Sequence, residues 1–134
     1  MADLTITVCE PVQVVQQFTG PAAEAIAEGD RCRFDATTGQ IALGNGTTTA
    51  EVKAGGIALN AAAAGATVTI VNQGIVDVGN ALDALNFGAD IYVSDTDGQF
   101  GTANTDSTVD VICGQVIPGW GHTTADKLLW LNGS

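Results

Sequence analysis

Histidine, cysteine and paired carboxylates are the residue types from which this chain could assemble a reactive centre, and each is thinly supplied. His122, its one histidine, lies between Gly121 and Thr123 after Trp120, in the kind of loop where an imidazole is ordinarily solvated rather than catalytic or metal-bound. No G-x-S-x-G surrounds Ser94, Ser107 or Ser134, so no hydrolase elbow is present. A Cys/His nucleophile pair needs Cys9, Cys32 or Cys113 beside His122, and no family signature flanks any of them. Zinc takes about four N or S ligands, which one His and three scattered Cys supply poorly. Asp95-Thr96-Asp97-Gly98 resembles the opening of a calcium loop, but no acidic ligand follows at the next loop position, no Glu closes it, and its flanks read as strands. A hairpin turn is the simpler reading. Two carboxylates across a cleft could serve a glycosidase, yet fifteen Asp plus Glu make some pair inevitable. Trp120, Trp130 and Tyr92 could stack on a sugar, although sparse aromatics near terminal strands more often fill a core or a subunit interface. The expectation is no catalytic residue, no metal and no cofactor.

The elements that would position these residues are β-strands. Thr, Val and Ile dominate short runs with period-two alternation, punctuated by Gly or Asn-Gly at intervals suited to strands of about five or six residues. Leu4, Ile6 and Val8 alternate with Thr5 and Thr7 ahead of Pro11, with no hairpin partner adjacent in sequence. Pro21 to Glu28, closed by Gly29, and Asn80 to Phe87, closed by Gly88, each carry helix start and stop residues and predict a short helical turn. Each is followed by a related stretch, Gly29 to Ile41 and Gly88 to Phe100, that reads strand, polar turn, strand. Thr38-Gly39 and Asp97-Gly98 supply the positive φ of a tight hairpin. Two copies make no solenoid, which needs at least about three. Further strands are expected at Thr67 to Val71, Ile75 to Val78, Val109 to Ile117 and Lys127 to Leu131.

A length of 134 residues fits one domain. Much of the 46% hydrophobic fraction is alanine, and four Phe, two Trp and one Tyr supply the large rings. Such a core is thin, so part of the stability should come from subunit contacts. Four Lys plus Arg against fifteen acids give a net charge of −11, which repels phosphate backbones and anionic lipid alike and argues against nucleic acid and membrane as partners. Three cysteines without a C-x-x-C pair read as reduced, half-buried side chains. The start carries Asp3 and Glu10 and shows no signal-peptide pattern. The uncharged run from Ala54 to Val76 contains too many Gly, Asn, Gln and Thr for a bilayer-spanning helix.

Taken in order, GD-x-strand-D-x-TG, GIAL-N-AAAAG-ATVTIV-NQG-IVDVG, FGADIYVSDTDGQF and CGQVIPG with a final apolar strand resemble the capsid cement, or head-decoration, proteins of tailed phages and related prophage proteins. The resemblance runs from about Gly29 to Leu131. It implies an all-β, compact β-barrel-like domain of the β-tulip type, with an extended N-terminal arm and at most one or two short helical turns. Residues 1 to 20 would be the arm and residues 21 to 134 the decoration domain. It further implies a structural virion protein that sits on the capsid exterior, often as a homotrimer, and stabilises the shell by cross-linking major capsid protein subunits. The arm's capsid contacts would fall on Leu4, Ile6 and Val8, adding a strand to a capsid sheet. An ordinary strand within the domain is the other reading of that segment. A carbohydrate- or receptor-binding β-module on the virion surface is the alternative function.

Overall fold

The computed structural model describes residues 3–52, 55–121 and 126–133. β-Branched and aromatic side chains, which fit a pleated and half-buried surface, set nine strands among them: β1 Glu10–Pro21, β2 Arg31–Phe34, β3 Ile41–Leu43, β4 Gly56–Ala58, β5 Thr67–Asp77, β6 Asp90–Val93, β7 Phe100–Gly101, β8 Ile112–Pro118 and β9 Lys127–Asn132. Strand makes up 45% of the chain and helix 6%, and the expected all-β, barrel-like class holds. All strands join one antiparallel sheet in the order β3-β2-β4-β5-β9-β8-β6-β7, curled into a half-barrel. β5 is its spine: β4 and β9 share one edge of it, and β1 pairs along the other for its whole length.

The two hairpins stand where the turn residues put them, with β2–β3 closed past Gly39 (φ 73°) and β6–β7 past Gly98 (φ 76°). Of the two short helical turns, the first does not. Ala22 bridges to Ile41 and Ile26 to Ala62, so the Pro21 to Glu28 segment is drawn out along its neighbours, because tertiary pairing outweighs the weak preference of a short isolated helix. Asn80 to Phe87 forms successive turns with N–H groups of Asp83 and Leu85 donating three residues back. The helical pieces among the described residues lie elsewhere, at Thr49–Val52 and as one 3-10 turn at Asn104–Asp106.

Ile70 and Val71 are neighbours on β5 yet belong to different cores, as do Ala58 and Ile57 on β4. Successive strand residues point to opposite faces, so the two cores lie on opposite faces of the curled sheet. The larger gathers Leu4, Ile57, Val76, Ile91, Phe100 and Leu129; the smaller gathers Ile26, Cys32, Ile41, Val68 and Ile70. Both are built almost wholly from aliphatic side chains, with Phe100 the one fully buried ring among the described residues.

The stretch read as an arm lies on the domain. Asp3 bridges Gly101, the Leu4 N–H donates to the Phe100 carbonyl at 2.8 Å, and Ser94 Oγ donates to Asp3 Oδ1 at 2.5 Å. Farther on, the Cys9 N–H donates to Glu28 Oε2 at 2.7 Å, and residues 10 to 21 become β1. Residues 3 to 20 are therefore not set apart from the rest of the described chain: Leu4, Ile6 and Cys9 join the larger core, and the backbone of β1 extends the sheet.

Candidate binding surface

Sheet edges present unpaired N–H and C=O groups, and folded proteins ordinarily cover or blunt them. Two of the three edges here are covered by the chain itself. Residues 3 and 4 lie on β7, as above, and on β3 the Ala23 N–H donates to Ile41 (2.7 Å) while Glu24 Oε2 accepts from the Leu43 N–H (3.1 Å). β1 is different: its backbone bonds go to β5, and among the described residues nothing covers its outer edge. Its side chains are exposed at nearly every position, including Val14, Val15 (63%) and Phe18 (47%). No charged residue occurs between Glu10 and Glu24.

Phe18 is held in place by an edge-on contact with Phe34, ring centroids 5.0 Å apart, and lies over Gly20, where a Cβ would meet its ring. Beside it runs an open groove of about 360 Å³ lined by Gln16, Phe18, Phe34, Ile70 and Asn72. A second row crosses five strands. Register places Gln13 opposite Ile75, Ile75 opposite Trp130, Trp130 opposite Gln115 and Gln115 opposite Asp90, with Gln115 Nε2 donating to Asp90 at 3.2 Å. Trp130 is 52% exposed at its centre, while Trp120 (76%) and Phe87 (45%) stand out near the β8–β9 end, where Lys127 Nζ sits 5.3 Å from the Phe87 ring centroid. Four of seven aromatic rings thus face outward in a chain whose cores are aliphatic. Exposed aromatic rings are the side chains of this surface best suited to contact a partner.

Of the sequence-predicted contact residues, Leu4 is in the larger core at 7% exposure, and Ile6 is half-buried against Gly29. Val8 is the one exposed member, at 41%. The structure does not bring the three together as a capsid-facing set. Sequence reasoning missed Val14, Val15 and Phe18, although their uncharged β-branched and aromatic run between Pro11 and Pro21 carried the signal. The tryptophans, weighed as core or interface residues, are not core.

The polar groups with chemical potential are engaged structurally. Asp95 accepts from the Thr108 N–H (2.8 Å) and Oγ1–H (2.7 Å), whereas Asp97 accepts from Asn45 Nδ2 (2.6 Å). The two carboxylates of the calcium-like tetrapeptide are therefore each bonded to a different loop. Among the described residues no group of three or more His, Cys, Asp or Glu is placed to hold a metal, and His122 lies outside the described residues. The cysteines are free and fully buried rather than half-buried. Burial pushes the Cys9 and Cys32 thiols up to about 12, helped at Cys9 by the carboxylates of Glu28 and Asp77 and at Cys32 by Asp30; burial lifts Cys113 to about 11 against the opposing pull of Arg31. Thiols so raised are protonated and unreactive at neutral pH. No helix among the described residues is long and apolar enough to cross a membrane. No family model, curated protein or solved structure matches the chain.

Proposed function

We propose that this chain is a structural virion protein of a tailed phage: it binds the outer surface of the capsid, bridges major capsid protein subunits and acts by adhesion, without turnover. The observation that carries the reading is the outward placement of Phe87, Trp120 and Trp130 on a sheet whose cores are filled without them. They offer apolar contacts on a chain of net charge −11, which disfavours nucleic acid and anionic membranes as alternatives. Contacts of this kind are individually modest, and many copies each touching two shell subunits would hold by avidity. The motif order from Gly29 to Leu131, which resembles the cement proteins, supports the same reading.

Undecorated capsids provide the test. Full-length protein should bind them and raise their resistance to heat or chelator. Both indoles should be quenchable by acrylamide in the free protein and shielded on capsids. Trp130→Ala should reduce decoration while leaving the fold intact, since the side chain is half in water. Unchanged capsid stability with the wild-type protein would overturn the proposal, and binding to glycans without capsids would favour the receptor-binding alternative, for which the groove beside Phe18 and its amide rim is the place to look.

A further inference from the structure

Two of the three edges of this sheet are covered by the chain itself, so an open edge on one copy finds, among the described residues, one matching open edge on another: β1 itself. We propose that two copies pair antiparallel, β1 to β1, about a two-fold axis at Thr19, continuing the sheet from one subunit into the next.

The placement of the axis follows from the ladder. Between Pro11 and Gln17 the pairing of β1 with β5 is interrupted three times, whereas Gln17 to Pro21 pair residue for residue with Val71 to Thr67. Bulges twist an edge away from further pairing, which leaves the regular five-residue stretch, centred on Thr19, as the part able to accept a strand. Antiparallel pairing there sets Phe18 opposite Gly20 of the second copy. Directly opposed residues share a face, so the two Phe18 rings stand on one face as diagonal neighbours, about 7–8 Å apart and within aromatic reach. Each Phe18 ring lies over Gly20 of its own strand, which brings it alongside the axis.

Charge admits this approach and few others. The chain carries −11, so two copies repel across most orientations, but β1 from Pro11 to Pro21 and β5 from Thr67 to Val76 bear no ionisable side chain. The acids nearest in sequence, Glu24 and Glu10, lie five and nine residues from the axis, about 17 and 30 Å along an extended chain, beyond a Debye length at ordinary ionic strength. An isologous contact that uses one edge from each copy closes on itself and gives a dimer rather than a ring or a filament. A homotrimer would need a contact other than the sheet edges. About ten residues a side is below the 20–30 of a standard interface, so the pair is weak and in exchange with monomer.

Sedimentation equilibrium of the full chain over a wide concentration range is the test. The weight-average mass should climb from one 13.5 kDa chain toward two and stop there, and added salt should favour the dimer. Thr19→Lys and Thr19→Glu each place like charges across the axis and should weaken pairing about fivefold or more. Mixing the two variants in equal amounts should restore or exceed wild-type pairing, which a folding defect could not do. Phe18→Ala should also weaken it. A mass that stays monomeric at every concentration, a limiting species of three or more chains, or indifference to both Thr19 variants would overturn the proposal. None of these readouts involves a capsid, so the pairing stands or falls separately from the proposed function.

Discussion

Leu4 separates two views of the N-terminal segment, and its replacement by alanine has a calculable result. A free arm with Leu4 as a contact residue predicts that Leu4→Ala leaves the isolated protein as stable as before. The structure predicts otherwise. Leu4 packs in the larger core, is 7% exposed, and its N–H is tied to Phe100. Truncating a buried leucine costs about 2–5 kcal/mol. Here the side chain borders an open groove of about 520 Å³ that also reaches Thr7, Asn80 and Leu85, and water can occupy part of the vacated space, so the lower end of that range applies, about 2–3 kcal/mol. For a domain of this size each kcal/mol shifts the melting temperature by about 3–4 °C, giving a fall of about 6–12 °C. Val8→Ala, at a side chain 41% exposed, should cost less than about 1 kcal/mol. Urea denaturation of both variants beside the wild type decides the matter: the midpoint should drop for Leu4→Ala alone, at constant slope. An unchanged midpoint for Leu4→Ala would refute the packed placement. The same reasoning warns that deleting residues 1 to 8 removes core as well as surface, so loss of capsid binding by such a truncation would not identify a contact.

Stability should also fall in alkali. The folded thiols are raised by burial to about 12 at Cys9 and Cys32 and about 11 at Cys113, whereas unfolded thiols ionise from about pH 8.5. The stabilising difference is complete below that pH and is lost as pH rises toward the folded values, at about 1.4 kcal/mol per pH unit for each thiol; urea midpoints between pH 8 and 10 check it, and a flat profile would contradict the burial. Gly74→Ala should cost about 2–3 kcal/mol and speed amide exchange along β1, because Gly74 has φ 144° and a Cβ there would run into the Gln13 carbonyl. Gly65→Ala, at φ 86° with open space around it, should cost only about 1 kcal/mol.

The sequence was legible where local chemistry decides the outcome. Thr38-Gly39 and Asp97-Gly98 supply left-handed turn residues between short apolar runs, and both hairpins form there. It was illegible where partners decide. β1 escapes a period-two reading because its bulges break the alternation that defines a strand: Val12, Val14 and Val15 do not keep to one face. Pro21 and Gly29 frame a plausible helix, yet Ala22 and Ile26 are claimed by Ile41 and Ala62 across the fold. In β9 the run Leu128-Leu129-Trp130-Leu131 has four apolar residues in succession, and nothing local says which faces water. Long-range register does: Leu131 falls opposite Gly114 and Gly74, which leave it space, and Trp130 is turned toward Gln115 and Ile75 on the outer face. Leu4, Ile6 and Val8 alternate as a strand would, but what fixes them is the covering of β7, a two-residue edge with little sequence signature of its own.

Among the described residues two edges are covered and the third is open, which has a consequence for assembly. Pro11 and Pro21 bound β1, and bulges occupy its N-terminal half, so the part that can accept a partner is about one short strand long. Such an edge pairs once and then is spent, which guards against the open-ended sheet growth that a long flat edge invites. A net charge of −11 keeps dilute copies apart. If copies are held side by side on a shell, as the proposed function has it, their effective concentration reaches about the millimolar range, and a contact too weak to matter in solution becomes populated. Docking would then precede pairing, and pairing would tie together the subunits beneath two neighbouring copies. Decoration should accordingly be cooperative for the wild-type chain and lose that cooperativity, while keeping its affinity for isolated sites, in Thr19→Lys; equal loss of both would place Thr19 on the shell-facing surface instead of between copies.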